Sequence, residues 1–307
     1  MSLTLLQQGQ FATSGEQLAI ISELAAGDLL SVLPFRSIEG NSIRFRREEA
    51  LPDVGFRHVN GSLTESYGEI SMQSEALHLY GGDLRVDKAI LTLEGPEARA
   101  WNIQARVRAM RHNFEKVFIK GSEAASNGLE FDGLQARIAE SSSQYIENQS
   151  GVSGALSFAA LDEALDAVDA IGGQKYLVMS KAMRRALTAG SRNGGINGGI
   201  HISTDELGRQ RTMYADVPVL IMDRDEKNQE ILGATEANST SSIYIASFGD
   251  TALTGIQNGG IEVRDLGEAT DRPQMVTRME WYCGLALMNG RAAARLAKID
   301  PSLAAIA

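Results

Sequence analysis

The longest periodic pattern in the chain predicts a helix from Pro96 to Lys120. Its apolar positions are spaced by four, three, four and three residues, which draws one stripe along a helix, at Ile103, Val107, Met110, Phe114 and Val117. Pro96 suits the first helical position, and Glu94 and Glu97 place negative charge at the positive end of the helix dipole. Gly121 predicts a left-handed stop. Such a helix would be about 37 Å long, which is typical of a strut.

A strict two-residue alternation near the end of the chain predicts a long strand from Met275 to Leu287. One face carries the apolar residues and one threonine, namely Met275, Thr277, Met279, Trp281, Cys283, Leu285 and Leu287. Thirteen residues far exceed the usual strand of about five or six, so the pattern indicates an elongated domain beside the long helix. Cys283 is the single cysteine of the chain, which excludes an internal disulfide. Within this pattern it is expected to be a small buried apolar residue.

The first 76 residues combine a helical segment with an extended one. Apolar spacing predicts a helix from Glu16 to Leu30 that ends before Pro34. Over residues 41–75, Ile43 and Phe45 alternate with arginines, and glycines, prolines and Asn60-Gly61 interrupt the rest, which predicts an extended hairpin. Neither strand has an apolar face suited to a core. We therefore expect the hairpin to project onto a neighbouring molecule; the alternative is a solvated surface hairpin of a monomer, which would be unusually long.

The middle of the chain predicts a compact sequence of helices and strands. The predicted elements are a helix at Ser157–Ile171 that stops at Gly172-Gly173, a buried strand at Tyr176–Met179, a helix from the cap Ser180 to about Ala189, a glycine-rich loop at Ser191–Gly199 and a strand at Val217–Met222. The loop lacks a following Gly-Lys-Ser/Thr and a dinucleotide fingerprint, so it is not expected to bind phosphate.

Four segments in this order resemble the major capsid proteins of tailed bacteriophages. They are the strand and turn Leu79–Asp87, the long helix followed by Gly121 and Glu130-Phe131-Asp132-Gly133-Leu134, the strand Ser242–Gly249, and the closing strand Glu280–Leu287 followed by Arg291–Leu296. Each segment is weak evidence alone, and their agreement in order is the stronger signal. The resemblance implies an α+β fold: a phage major-capsid-like wedge with axial and peripheral domains, a long spine helix, an extended hairpin loop and an N-terminal arm.

The resemblance also implies a domain division and a structural function. The domains would be an N-terminal arm (1–40), an extended hairpin loop (41–76), a peripheral domain with the spine helix (77–150), an axial domain (151–270), and the peripheral closing strand and tail (271–307). The chain would assemble with itself into hexamers and pentamers and then an icosahedral shell around DNA. A scaffolding protein and a portal are further expected partners. The protein would be made in the bacterial host cytoplasm and reside in the virion capsid.

Two alternatives remain at this point. An encapsulin-type nanocompartment shell shares the fold and would enclose cargo enzymes instead of DNA. A soluble α/β enzyme of unknown chemistry is favoured only by the general composition, with 43% hydrophobic and 22% charged residues among 307. That composition is enough to bury a sizeable core.

The charged residues provide two sets of candidate site residues, one on the long helix and one on the hairpin. The net charge of −10 argues against tight binding of nucleic acid. On the long helix, a basic stripe of Arg99, Arg106, Arg108 and Arg111 would face the shell lumen and contact packaged DNA weakly; the alternative is a solvated helix face. On the hairpin, the candidate assembly interface comprises Arg44, Arg46, Arg47, Glu48, Glu49 and Arg57.

The hairpin contains no lysine, which bears on covalent cross-linking. Part of the resembling family joins subunits by a Lys-Asn isopeptide bond whose lysine comes from the extended loop. The seven lysines all lie outside residues 41–75, at Lys88, Lys116, Lys120, Lys175, Lys181, Lys227 and Lys298. Arginine stays protonated and is a poor nucleophile. We expect no such cross-link, and a ladder of covalent multimers on a denaturing gel of mature particles would contradict this.

Catalytic and metal-binding motifs are missing from the sequence. The histidines His58, His78, His112 and His201 lack metal-ligand spacing, and no Gly-x-Ser-x-Gly motif occurs. Asp223-Arg224-Asp225 lacks the glycine and glutamate of a calcium loop, so it is interpreted as a turn. No cofactor, metal or catalytic residue is therefore expected. No apolar run is long enough to span a membrane, and the first 15 residues do not resemble a signal peptide, so no membrane partner is expected.

Overall fold

A computed structural model describes residues 2–10, 15–62, 65–95, 97–148, 154–169, 172–193, 200–204, 210–222, 224–236, 239–303 and 305. The chain folds as a mixture of helices and strands, which confirms the predicted α+β class. Within these residues, twelve strands form one large sheet and two further strands form a separate hairpin.

The elements are numbered here in chain order. The helices are α1 (Leu5–Gly9), α2 (Gly15–Leu24), α3 (Asp28–Val32), α4 (Lys88–Glu94), α5 (Glu97–Lys120), α6 (Leu134–Arg137), α7 (Phe158–Asp166) and α8 (Lys181–Asn193). The strands are β1 (Leu3–Thr4), β2 (Pro34–Ser37), β3 (Ser42–Ala50), β4 (Glu69–Ala76), β5 (His78–Asp87), β6 (Tyr145–Glu147), β7 (Gln174–Ser180), β8 (Ile200–Thr204), β9 (Gln210–Tyr214), β10 (Val217–Met222), β11 (Ser241–Phe248), β12 (Leu253–Glu268), β13 (Gln274–Leu287) and β14 (Ala293–Ile299).

The centre of the large sheet separates two hydrophobic cores. β7 lies between β10, in parallel, and β11, in antiparallel orientation, and β14 pairs with the other side of β11. Alternate residues of β7 point to opposite faces, so Tyr176 and Val178 join the core beneath α5, whereas Leu177 and Met179 join the core beneath α7 and α8. Every residue of β11 is buried because both faces of that strand are covered.

An aromatic cluster joins three of the four segments that carry the capsid resemblance. Trp281 of β13 stacks on Phe114 of α5 with ring centroids 5.4 Å apart, and Phe35 of β2 lies 5.1 Å from the same tryptophan. Phe131 contacts Phe114 at 5.7 Å, and Tyr80 of β5 approaches both Phe114 and Trp281 edge-on. Segments far apart in sequence therefore meet in one core, where burial of large rings contributes strongly to stability.

The long helix forms as predicted, except at its ends. α5 covers Glu97 to Lys120, and Pro96 lies outside the described residues. Gly121 does not take the predicted left-handed conformation. A Cβ on Gly121 would collide with the carbonyl oxygens of Val117 and Phe131. Glycine is needed here because the segment that contains Phe131 packs directly against the end of the helix, where the Gly133 amide donates to the Gly121 carbonyl at 2.9 Å.

The N-terminal segment differs from the single predicted helix. α2 ends at Leu24, a turn follows, and α3 begins after Gly27, which is its N-cap. A Cβ on Gly27 would touch the side chains of Arg111 and Glu115 of α5, so close approach of the long helix explains the break. Leu24, Leu29 and Phe35 are buried in the main core. The predicted arm is therefore folded onto the body over these residues.

The second half of the chain follows the predicted order with shifted boundaries. α7 begins after Ser157 as expected but ends at Asp166, well before the predicted Ile171, which lies outside the described residues. Ser180 caps α8, since its Oγ accepts the Met183 amide at 3.2 Å, and this helix continues to Asn193, past the predicted end. Most of the glycine-rich loop, residues 194–199, lies outside the described part of the chain.

β14 bears on the predicted domain division. It pairs with β11 and contributes Leu296 and Ile299 to the core beneath α7 and α8. Residues 293–299 also pair with β6, which belongs to the part assigned to the peripheral domain, so β14 contacts both predicted domains. The domain boundaries stay predictions.

Candidate assembly surfaces

The predicted hairpin forms and stands apart from the large sheet. β3 and β4 pair only with each other, from Ser42 opposite Ala76 to Ala50 opposite Glu69. Ile43 and Phe45 are half-buried on one face of the hairpin, while Arg44 and Arg46 are exposed on the other. No described residue of either strand is fully buried, in agreement with the prediction that these strands do not belong to a core.

The segment that joins the two strands is exposed throughout its described residues, 51–62 and 65–68. Its hydrogen bonds are local: the Gly61 amide donates to the His58 carbonyl at 3.0 Å, and the Asp53 amide donates to Ser66 Oγ at 2.9 Å. Five large apolar side chains nevertheless face solvent, at Leu51, Val54, Phe56, Val59 and Tyr67. Exposed apolar side chains gathered on one projection are typical of a protein interaction site.

Arg137 fastens the base of the hairpin to the body. Its guanidinium makes a bidentate ion pair with Glu75 of β4, with Nη2 2.9 Å from Oε2. Nη2 also donates to the Leu285 carbonyl of β13 at 2.9 Å, and Nε donates to the Asp132 carbonyl at 2.8 Å. The Arg137 side chain is 11% exposed and that of Glu75 is 22% exposed, so solvent screens this pair weakly. Arg137 therefore ties the base of the hairpin to β13 and to the segment before α6.

The candidate interface residues of the hairpin do not share one face. Arg44, Arg46 and Glu48 are exposed on the face that also carries Ile70 and Met72 across the ladder. Arg47 is half-buried on the opposite face and its side chain lies beside Gly290 of the body. Arg57 lies in the exposed connection and bonds the Gly61 carbonyl at 3.1 Å. The side chain of Glu49 lies outside the described residues. A role of these residues in assembly stays a prediction.

The four candidate arginines of α5 do not form one stripe. At 100° per residue, Arg99 and Arg106 lie on one side of the helix and Arg108 lies opposite them. Arg99 Nη2 bonds Asp265 of β12 at 2.7 Å, and the Arg106 guanidinium lies directly over Gly82 of β5. These two side chains hold the helix to its own sheet.

Arg108 and Arg111 also differ from each other. Arg111 Nη1 donates to the Glu23 carbonyl at the end of α2, at 3.2 Å, so it is a contact within the subunit. Arg108 is exposed. A continuous basic surface is therefore not present along α5, and contact with DNA stays a prediction. Charge counting along the sequence missed this because it does not record where each side chain points.

The end of α5 carries two lysines with carboxylates nearby. Lys116 Nζ lies 3.5 Å from Asp225, whose carboxylate also accepts the amides of Lys227 and Gln229; these amide hydrogen bonds lower the pKa of Asp225. Asp225 thus closes a turn, as predicted. Burial lowers the pKa of Lys120, and its Nζ donates to Thr235 Oγ1 at 3.1 Å.

Other candidate chemistry stays dispersed in the fold. Within the described residues, no group of three histidine, cysteine, aspartate or glutamate side chains is arranged to hold a metal ion. Burial raises the pKa of the Cys283 thiol, which lies in the core as expected. None of the helices that the structure describes is long and apolar enough to cross a bilayer.

Solved structures similar to this chain include an encapsulin complex and a phage capsid. An encapsulin complex from Synechococcus elongatus matches with a TM-score of 0.66 and 16% identity, over 90% of this chain and 88% of that chain. The capsid of cyanophage A-1(L) matches with a TM-score of 0.61 and 16% identity, over 89% of this chain and 92% of that one. A structure from Mycobacterium phage Adephagia matches with a TM-score of 0.61 and 13% identity, over 92% and 90%.

These matches identify the fold. Since they span most of each chain, the fold is the one that phage capsid and encapsulin subunits share, as the sequence resemblance predicted. No family model matches the sequence, and no curated protein does.

Proposed function

We propose that this protein is the major capsid subunit of a tailed phage or prophage, and that it assembles with itself into rings and then a closed shell around DNA. The observation that carries the proposal is the projecting hairpin: a base bound to the body by Arg137 and a connection with five exposed apolar side chains. Burying such side chains against a neighbour would contribute roughly 1.5–3 kcal/mol each.

Repetition supports assembly from contacts that are individually weak. When one surface of a subunit binds a different surface of the next, the contact repeats around a ring, and many contacts together become strong. The solved neighbours that carry this fold include capsids, in agreement with such an arrangement. The protein would act without catalysis or a cofactor.

The finer parts of the proposal concern partners and location. We infer synthesis in the host cytoplasm, residence in the virion, and contacts with a scaffolding protein and a portal. Contact with packaged DNA would be weak, because the net charge is −10 and two of the four candidate arginines on α5 bond within the subunit.

Electron microscopy and sedimentation of the purified protein across salt and protein concentration test this proposal. We expect rings or shells under some of these conditions, with scaffolding protein from the same genome supplied as nucleating partner. Monomers under every condition, with scaffolding present, would contradict the proposal.

An encapsulin-type shell is the second candidate, favoured by the match to the Synechococcus elongatus complex. The two candidates differ in contents and in gene neighbourhood. Genes for a portal and a terminase beside this gene, and nuclease-sensitive DNA released from opened particles, would favour the phage capsid. A neighbouring cargo-enzyme gene and particles that contain protein but no DNA would favour the nanocompartment.

A further inference from the structure

Two helices on the same face of the central sheet carry solvent-facing charges of opposite sign. The buried residues of α7 and α8 belong to one core, with Leu161 and Leu165 from α7 and Met183 and Leu187 from α8. The charged residues of the α8 face are all cations, Lys181, Arg184, Arg185 and Arg192, and those of the α7 face are all anions, Asp162, Glu163 and Asp166.

The basic face of α8 follows from helical spacing. Steps of 100° place Lys181, Arg185 and Arg192 within about 40° of one another, opposite the buried Met183 and Leu187. All three of these basic residues are exposed. α8 contains no aspartate or glutamate. Next to its first turn, Arg224 adds a further cation and Glu230 is the carboxylate that lines the same surface depression.

The acidic face of α7 is equally one-sided. Glu163 and Asp166 are exposed, and Asp162 accepts the Tyr214 hydroxyl at 2.8 Å. α7 contains no lysine or arginine. Beyond the end of the helix, Lys175 Nζ donates to the Leu165 carbonyl at 2.9 Å.

The acidic face of α7 carries like charges at helical spacing. Asp166 lies four residues after Asp162 and three after Glu163, and like charges at these spacings repel. An opposite charge from a neighbouring subunit would relieve this repulsion.

The two faces lie at different ends of β7. The end of α7 is held by Lys175, at the amino end of that strand, whereas α8 begins directly after Ser180, at its carboxyl end. Seven strand residues span about 20 Å, so the first turn of α8 is well separated from the end of α7. A head-to-tail contact that repeats around a ring requires two different surfaces on each subunit.

We propose that the acidic face of α7 binds the basic face of α8 on the next copy of this chain, as a ring contact separate from the hairpin. This inference rests on the proposed shell function and names the partner surface within a ring. Complementary charge over both faces favours a second copy as the occupant.

Charge reversal tests the pairing directly. One variant carries Arg184→Glu, Arg185→Glu and Arg192→Glu in α8, which leaves one cation and three anions on that face. The other carries Glu163→Lys and Asp166→Lys in α7, which leaves one anion and two cations. The changed side chains are all at least partly exposed, so both variants should fold with a melting temperature within a few degrees of the unaltered protein. We expect each variant alone to form no rings, because its two faces then carry the same sign.

A mixture of the two variants is a stronger test than either variant alone. The acidic α8 of the first matches the basic α7 of the second, and the basic α8 of the second matches the acidic α7 of the first. Rings should therefore return in the mixture with strict alternation of the two proteins, which permits six members and forbids five. Native mass spectrometry measures the composition. The exposed Arg272→Glu, outside both faces, is the matched control and should assemble normally.

Three outcomes would overturn the inference. Normal rings from either variant alone would contradict it and leave the shell proposal intact. Normal rings from the α8 variant together with loss of DNA binding would assign that face to nucleic acid instead. No rings from the unaltered protein under any condition would contradict the shell proposal and this inference together.

Discussion

The aromatic core and the projecting hairpin differ in how their apolar residues are placed. In the core, Trp281 and Phe114 are fully buried by segments from the whole length of the chain. In the hairpin, Val54 and Val59 are 91% and 93% exposed, and the two strands contact mainly each other. The apolar residues of the core are buried within one subunit, whereas those of the hairpin are exposed, and under the proposed function they would be buried by a neighbour. The proposal therefore predicts that mutation can separate folding from assembly.

Removal of the Trp281 side chain should have the largest effect. Trp281→Ala deletes a buried ring that stacks on Phe114 and donates to Gln257 Oε1 at 3.1 Å. Such a change lowers the free energy of unfolding by about 3–5 kcal/mol, a large part of the stability of a typical domain. Urea unfolding followed by circular dichroism measures this free energy. Assembly should fall together with stability. Tyr282→Ala on the opposite face of β13 is the matched control; an equal loss there would show that the cluster is not the centre of stability.

Shortening the hairpin should abolish assembly without unfolding the subunit. Ala50 and Glu69 pair across the ladder, so replacing residues 51–68 by Asn-Gly joins them with a two-residue turn. We expect the melting temperature to change by no more than a few degrees, because the described residues of the deleted segment, 51–62 and 65–68, are exposed. Rings and shells should disappear. Melting and sedimentation of the same variant decide this.

A full-length variant tests the apolar side chains of the hairpin separately from its length. Serine at Leu51, Val54, Phe56, Val59 and Tyr67 keeps the length and removes the side chains. It should also fail to assemble. A large fall in melting temperature with assembly preserved, in either variant, would show that the hairpin stabilises its own subunit instead of binding a neighbour.

Arg137→Ala should lower both the stability of the subunit and its assembly, with the larger effect on assembly. The change leaves the Glu75 carboxylate and the Leu285 carbonyl without this partner at a weakly solvated site, at a cost of about 1–3 kcal/mol. The freed hairpin then samples many directions, so assembly should require a higher protein concentration. Arg137→Lys should not restore it, because lysine cannot make the bidentate contact.

The matched control for Arg137 is another bidentate pair. Arg278 bonds Asp83 with distances of 2.7 and 2.9 Å, but its side chain is 42% exposed and the pair lies within the large sheet. Arg278→Ala should change stability by less than about 1 kcal/mol and leave the concentration for assembly unchanged. An equal shift in both variants would show that Arg137 has no special role in positioning the hairpin.

Local patterns predicted the elements that depend on neighbouring residues. The period of α5, the alternation in β13 and the caps at Ser157 and Ser180 are local signals, and all four mark real elements. The alternation of apolar residues with arginines in β3 also predicted the hairpin correctly.

The errors arose where tertiary contact decides the structure. Close approach of α5 broke the N-terminal helix at Gly27, and the role of Gly121 is close packing instead of a left-handed turn. The ion pair between Arg137 and Glu75 joins residues 62 positions apart, so no sequence period reveals it. The arginines of α5 were grouped by charge, although their angular positions separate them.

The smallest predicted effect concerns Asp265, which ties β12 to α5. The hydrogen bond from Arg99 lowers the pKa of this carboxyl, assisted by the Gly267 amide. A depressed folded pKa adds stability above the unfolded value of about 4, and this stability is lost as pH falls through the folded pKa. Half of the Asp265 side chain is exposed, so solvent screening limits the contribution to about 0.5 kcal/mol. Asp265→Asn should therefore lower the melting temperature slightly at pH 7, with the difference shrinking below pH 4. Assembly should be unaffected at neutral pH, because this contact lies within the body. A difference in melting temperature that stays constant from pH 7 to pH 2.5 would mean that the carboxylate charge does not contribute to stability.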